Sequence, residues 1–528
     1  MDVRSLSPKL SVSQQLMPQD VQRAAQAGFK SIICNRPDGE ASDQPSAAEI
    51  RSAAEASGLS FAYVPAVAGA LTDADARAMG AALDRLPGPV LAYCRSGSRA
   101  EKLAAMARAI GEQGASSDYE ILIVGGGSAG IATAASILKR RHNVRLAIIE
   151  PSDVHYYQPG WTMVGAGVFD PGFTRRDEAR LIPHGAQWIK ASVEQFMPEQ
   201  KQVRLSDGRR VGYAVLIVCP GIKLDWQAIP GLADALGRNG VTSNYRFDLA
   251  PYTHRLAKAF KGGRALFTQP VMPIKCAGAP QKAMYLSCHR WEKSGTLAHT
   301  DVQFHTAGAV LFGVPAYVPA LMDYVDRYGI HLNFGSKLVE IDGPAQTAIF
   351  EQAVGDSINR VAERFDMIHV VPPQVAPDFI RSSPLAAASG FVEVDEVTLR
   401  HKRYPDVFSL GDACSASNAK TAAAARKQAP VVAVNALAAL GGKEPVASYD
   451  GYGSCPLTVE AGKIVLAEFG YGGKLMPSFP NWLIDGTRPS RLSWLLKDTI
   501  LPPVYWHGML KGREWMVKPH SIHSDGRR

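Results

Sequence analysis

Tyr119-Glu120-Ile121-Leu122-Ile123-Val124 runs directly into Gly125-Gly126-Gly127-Ser128-Ala129-Gly130. The apolar run reads as a buried parallel strand, and Ala129 to Arg140 reads as a helix. Glycines at the join allow a tight turn and close backbone approach, and the helix N-terminus faces a pyrophosphate. A second strand, Val144-Arg145-Leu146-Ala147-Ile148-Ile149, ends in Glu150, whose carboxylate can accept from a ribose hydroxyl. The glycine pattern alone is a weak signal. Strand, turn, helix, strand and acid together specify a dinucleotide-binding βαβ unit, with Gly125, Gly127, Ser128, Ala129, Gly130 and Glu150 in contact with the ligand.

Around this unit the chain reads as α/β throughout. At 528 residues it is too long for one core. With 46% hydrophobic and 20% charged residues and a mean hydropathy of -0.06, it is neither disordered, fibrous nor membrane-embedded. A net charge of +8 suits an anionic substrate or lipid surface, and no basic-aromatic stripe points to nucleic acid. Seven scattered cysteines indicate a reducing compartment with some reactive thiols rather than a disulfide scaffold. Met1 to Met17 lacks the pattern of a secretory signal, and no apolar run is long enough to span a bilayer.

Upstream, residues 1–112 read as a small parallel-sheet domain. Strands at Ser31–Cys34 and Val90–Cys94 alternate with helices near 46–57 and 72–86, and a further helix runs from Ser98 to about Ile110. The small, polar stretch Gly111–Asp118 reads as a linker. Downstream, βα alternation runs to about residue 440 inside an expected domain of residues 118–470, and a tail follows at 471–528. Tyr404–Asp412 reads as a strand ending in Gly411-Asp412; Asp412 is either a helix cap or a cofactor ligand. The strand Arg264–Phe267 stands where a second dinucleotide fingerprint would follow. Instead come Pro270-Val271-Met272-Pro273-Ile274-Lys275-Cys276-Ala277-Gly278, with a cysteine where a nicotinamide would enter.

With Lys275–Lys282, Tyr157–Gly167 and Ser454-Cys455-Pro456-Leu457 in view, residues from about 119 to 515 resemble sulfide:quinone oxidoreductases of the type that includes the mitochondrial enzyme. The resemblance implies two dinucleotide-binding folds, noncovalent FAD and a redox-active bridge between Cys276 and Cys455. Gln158, Gly411, Asp412, Lys420 and Thr421 then join the FAD contacts, with Asp412 on the ribityl chain. It implies that hydrogen sulfide attacks the bridge at Cys455 and leaves a persulfide, while Cys276 departs as a thiolate, stabilised by Lys275 or the flavin. Electrons pass through FAD to a quinone, and the sulfane sulfur goes to an acceptor such as glutathione. A type II NADH:quinone dehydrogenase is the alternative, against which the missing second fingerprint argues. No metal site is expected. Cys34, Cys219 and Cys288 read as packing, and Cys414 has no assigned role.

Beyond residue 470, Ser490–Leu501 and Pro502–Lys511 are amphipathic and basic, reading as two short helices in a lipid interface with Trp and Tyr at headgroup depth. A helical hairpin packed on the core is the other reading. The interface reading makes the protein peripheral, docked on the cytoplasmic membrane face. In the first domain, Cys94-Arg95-Ser96-Gly97-Ser98-Arg99 follows a strand and opens a helix, an anion cradle built by backbone N–H groups and arginines. Tyrosine phosphatases place five residues between Cys and Arg. Here there are four, a rhodanese-like count. Together with Asn35–Glu40 and Asp43–Ser46, the loop resembles a bacterial phosphatase-fold family fused to sulfur-metabolism proteins. Sulfur transfer through Cys94 and Arg99 is the favoured reading, with phosphatase action and a purely structural domain as alternatives.

Overall fold

A computed structural model describes residues 2–116, 119–354 and 357–522. The chain divides into two compact units, Met1–Asp118 with Val193–Tyr213, and Tyr119–Ser192 with Ala214–Arg528.

In the first unit a five-stranded sheet is ordered Val3–Ser7, Leu10–Ser13, Val90–Tyr93, Ser31–Cys34, Ser60–Tyr63. Only the first pair is antiparallel. Continuous apolar runs such as Ser31–Cys34 are buried along their whole length, as strands covered on both faces must be. Helices Ala47–Ala56 and Asp73–Arg85 open with capping boxes at Ser46 and Thr72. The helix from Ser98 runs to Ser116, not to Ile110. Most of the stretch expected as a linker is therefore helical. Ser117 and Asp118 lie outside the described residues.

The second unit contains two parallel sheets of the same design. One is ordered Ala186–Ile189, Leu146–Ile149, Tyr119–Val124, the C-terminal half of Arg210–Val218, then Val407–Ser409. The other runs His331–Asn333, Thr300–Thr306, Gly263–Gln269, Met367–His369, Val241–Thr242. Tyr119–Val124 is central in the first and Gly263–Gln269 in the second, and from each the next strands in sequence pair outward on one side, so a crevice opens at its C-terminal end. A three-stranded antiparallel meander, Ser336–Asp342, Thr347–Val354 and Ser357–Arg364, adjoins the second sheet in sequence. The hairpin Gly453–Glu460 with Lys463–Phe469 packs on helix Ala279–Ser294, and Leu457, Val459 and Val465 share a core with Tyr285 and Trp291.

Candidate active site

At the first turn the fit to a dinucleotide is local and specific. A Cβ on Gly130 would lie 1.9 Å from the Gly125 carbonyl oxygen, so no other residue lets the helix start this close to the strand. A Cβ on Gly127 would meet nothing within 4 Å, so open space lies before the helix Ser128–Arg140. That helix has no side-chain cap, which leaves its first N–H groups for an anion. Glu150 accepts from the Gly126 and Ser152 N–H groups at 2.8 and 2.9 Å, which fixes its carboxylate beside the turn. The buried Glu178 carboxylate has one oxygen, Oε1, without a hydrogen-bond partner. These features fit the ribose and pyrophosphate of FAD.

The other expected FAD contacts gather around Asp412. Its carboxyl is held above the usual range by burial, against the pull of Lys420 and Lys275. Lys420 Nζ donates to the Asp412 and Cys414 carbonyls, both at 2.9 Å, and lies 4.2 Å from the Phe391 ring centre. It braces the Gly411–Cys414 loop. The Gly411 N–H donates to Gln428 at 2.7 Å. Thr421 caps the helix Ala422–Leu440 by accepting from the Ala424 N–H. Gln158 accepts from Lys275 Nζ at 2.7 Å.

Cys276 and Cys455 come together, with Sγ atoms 3.4 Å apart. Cys276 stands three residues before the helix Ala279–Ser294, at φ 85°, a conformation that costs a side-chain-bearing residue energy and recurs at functional sites. Cys455 comes from the strand Gly453–Glu460. Gly278 permits the meeting, since a Cβ there would lie 2.6 Å from Cys455 Sγ and 2.2 Å from Leu457 Cδ2.

The lysine that serves this pair is not the expected one. Lys275, one residue before Cys276, turns to Gln158 and lies over the rings of Trp161 and Tyr245, and burial lowers its ammonium to about 8. Lys282, in the first turns of the helix, donates to Cys276 Sγ at 3.2 Å and is buried. The bond from Cys455 holds the Cys276 sulfur well below the usual thiol range, against burial and with help from Lys282. Cys455 moves up for the same reason, together with burial. Burial pulls the Lys282 ammonium down, but the two sulfurs outweigh it and hold it above its ordinary value. A second buried lysine, Lys497, faces the same charges; burial first, then Lys282, push it down to about 7. Sequence reasoning missed both. Lys282 had a signal, since six residues past a cysteine and inside a helix start it returns toward the loop.

The remaining thiols behave as packing. Cys219 and Cys288 are buried and pushed up by burial. Cys34 is likewise buried and raised. Cys414 donates to the Gly411 carbonyl at 3.2 Å.

The tail corrects the headgroup expectation. Residues 491–511 form an almost unbroken run of short helical segments with wide turns, and Tyr505 and Trp506 are buried, 4% exposed each. Tyr505 packs on Tyr157 with ring centres 4.7 Å apart, and the Arg176 guanidinium lies over Trp506. Amphipathic pattern cannot say whether an aromatic side chain faces lipid or core. Leu492, Leu495, Ile500 and Trp515 are exposed apolar groups of this region, and Trp482 is 84% exposed. Among the described residues no helix is long and apolar enough to cross a membrane.

In the first unit, Cys94 is buried at the end of the strand Val90–Tyr93, before the loop that opens the helix Ser98–Ser116. Arg99 is also buried; it donates to the Asn35 carbonyl at 3.2 Å and to Glu40 at 2.5 Å. Arg36 holds the other Glu40 oxygen at 2.8 Å. Arg99 is thus braced by the Asn35–Glu40 segment, and its Nε has no partner.

Comparison with known proteins divides the chain in the same place. Residues 2–111 match the family described as beta-lactamase hydrolase-like protein, phosphatase-like domain, and residues 119–257 match the pyridine nucleotide-disulphide oxidoreductase family. The mitochondrial sulfide:quinone oxidoreductase of Dictyostelium discoideum is 40% identical over 462 residues, 87% of this chain and 96% of that protein. The beta-lactamase hydrolase-like protein of Agrobacterium fabrum is 36% identical over 115 residues, 22% of this chain and 27% of that protein. The crystal structure of the Aquifex aeolicus sulfide:quinone oxidoreductase shares the fold, with a TM-score of 0.62 over 76% of this chain and 96% of that one at 16% identity.

Proposed function

Because the chain belongs to the sulfide:quinone oxidoreductase family, we propose that Cys276 and Cys455 form its redox bridge, with Lys282 as the counter-ion that makes Cys276 a leaving group. The chain is an FAD-dependent oxidoreductase that oxidises hydrogen sulfide with a quinone as acceptor. Bound FAD supplies a two-electron relay between sulfur and quinone. Hydrosulfide attacks the bridge at Cys455: a new S–S bond gives a Cys455 persulfide, the Cys276–Cys455 bond breaks, and its electron pair stays on Cys276 as thiolate. Lys282 holds that thiolate in place. A thiolate acceptor, for which glutathione is the reading, takes the outer sulfur and leaves Cys455 reduced. Loss of two electrons from the two thiolates restores the bridge. The observation that carries this reading is the contact of 3.4 Å between two sulfurs far apart in sequence, with an ammonium at 3.2 Å.

Asp412, Lys420, Thr421, Gly411 and Gln158 hold the flavin end in this reading, and the Gly125–Gly130 turn with Glu150 holds the other. Quinone approaches at a membrane surface through the exposed Leu492, Leu495, Ile500 and Trp515, on the cytoplasmic face. The first unit transfers sulfane sulfur: a persulfide donor passes its outer sulfur to Cys94 and leaves as a thiolate, within a loop whose Arg99 is held ready by Glu40. The matched family's phosphatase-like description keeps phosphate transfer as the second reading of this unit.

Sulfide-dependent reduction of a short-chain ubiquinone, with and without glutathione, tests the proposal. Turnover that rises with glutathione and fails in Cys455→Ser supports it, and turnover unaffected in Cys455→Ser refutes it. Cys94→Ser is expected to leave quinone reduction intact and to abolish sulfur transfer from thiosulfate or a persulfide. Unchanged transfer defeats the reading of the first unit.

A further inference from the structure

A buried chain of hydrogen bonds runs from the dinucleotide turn into the C-terminal segment. Ser128 Oγ, at the first position of the helix after the glycines, lies 2.6 Å from Tyr505 Oη. The same phenol oxygen lies 2.6 Å from His155 Nε2, and His155 Nδ1 lies 3.2 Å from Glu178 Oε2. Glu178 keeps its other oxygen, Oε1, unpartnered, and a Cβ on Gly126 would stand 2.6 Å from that atom. Both ends of the chain therefore reach the fingerprint, one at Ser128 and one at Gly126. Tyr505, 377 residues from Ser128 in sequence, is its centre.

The segment that carries Tyr505 lies along the whole dinucleotide helix. Tyr505 meets its start at Ser128. Gly512, at φ 64°, comes so close to the middle that a Cβ there would stand 2.9 Å from the Ala135 carbonyl. Glu514 accepts from Ser136 at 2.8 Å and clasps Arg140, at the end of the helix, through both oxygens. Such a continuous lashing goes beyond what burying an amphipathic segment requires. The bond to Ser128 holds the residue that opens the helix, where the first N–H groups have no intrahelical partner.

We propose that residues 505–514 are a strap that retains FAD, with Tyr505 as a positioning residue that fixes Ser128 and the glycine turn against the dinucleotide. The inference rests on the family reading, which supplies the FAD. It assigns the tail a second task besides any membrane contact: the strap must be seated for the cofactor to stay. Phenylalanine in place of Tyr505 keeps the ring on Tyr157 and removes only the oxygen shared by Ser128 and His155.

The test uses the purified full-length holoprotein, diluted into buffer, with the rise of free-FAD fluorescence as the readout. Tyr505→Phe is expected to release FAD about tenfold faster than wild type, the size of one buried hydrogen bond, with an unchanged far-UV circular dichroism spectrum. Excess FAD should restore its visible spectrum. Ser128→Ala added to Tyr505→Phe should cost less than Ser128→Ala alone, because both remove one bond. Release at the wild-type rate from Tyr505→Phe overturns the strap. A wild-type protein that carries no flavin overturns the family reading beneath it instead. Should Tyr505→Phe fail to fold, Glu514→Gln decides: about threefold faster release supports the strap, and wild-type release overturns it.

Discussion

The second unit joins strand to helix twice at the same place in the same topology, and the two joins do opposite things. After Tyr119–Val124 the chain needs only Gly125 to Gly127 before the helix begins, and the space in front of that helix is left open. After Gly263–Gln269 it takes the longer path from Pro270 to Gly278, and the space in front of the helix is filled by Cys455 and Leu457 from the hairpin strand. One helix start is bare, which the proposed reading assigns to phosphate. The other is occupied by a sulfur pair, with Lys282 donating to Cys276. In the proposed reading, a dinucleotide fold becomes a sulfur site when the glycine turn lengthens and a strand is packed where the ligand would lie. The sheet need not change.

The largest effect that sharpens this contrast is at Cys276. Cys276→Ser should lower sulfide-driven flavin reduction by at least about a thousandfold while the first turn still binds FAD, as stopped-flow and visible spectra would record. Lys282→Met should come next. It strips the ammonium from Cys276 and so raises that thiol, although the bond from Cys455 remains; sulfide turnover at neutral pH falls on the order of tenfold to a hundredfold and recovers as pH rises. The thiolate absorbance titration checks the shift directly. At the other join, Gly130→Ala sets a methyl group against the Gly125 carbonyl and should cut FAD content to about a tenth, with added sulfide then finding little flavin to reduce.

The smallest effect concerns Lys497, held at about 7 against an ordinary 10.5. Between those values the unfolded amine is protonated and the folded one is neutral. Stability therefore rises with pH across that window, by at most about 1.4 kcal/mol per pH unit for one proton. Lys497→Met should flatten the dependence of the urea midpoint between about pH 7.5 and about pH 9. A slope identical to wild type would show that this amine is charged in the folded protein.

The two joins were unequally legible in the sequence. The first declares itself because glycine spacing, strand and acid are all local. The second could be read as the loss of a fingerprint, and Cys276 with Cys455 emerged only through family resemblance, since no local pattern links a helix start to a strand nearly two hundred residues on. Lys275 attracted the role of Lys282 because it is the nearer in sequence, whereas the φ of 85° at Cys276 and the helix that follows bring Lys282 to the sulfur. The tail misled for another reason. Its aromatic, basic composition suits a lipid interface and a core strap equally, and only tertiary packing separates Tyr505 and Trp506 from the exposed Leu492 and Trp515. Helix Ser98–Ser116 outran its expected end because two glycines do not by themselves stop a helix.

The most direct measurement is anaerobic addition of sulfide or of NADH to the holoprotein while the flavin's visible absorbance is followed. A sulfur site at the second join predicts bleaching by sulfide, none by NADH, and none by sulfide in Cys276→Ser. Bleaching by NADH, or by sulfide at the wild-type rate without Cys276, would contradict it.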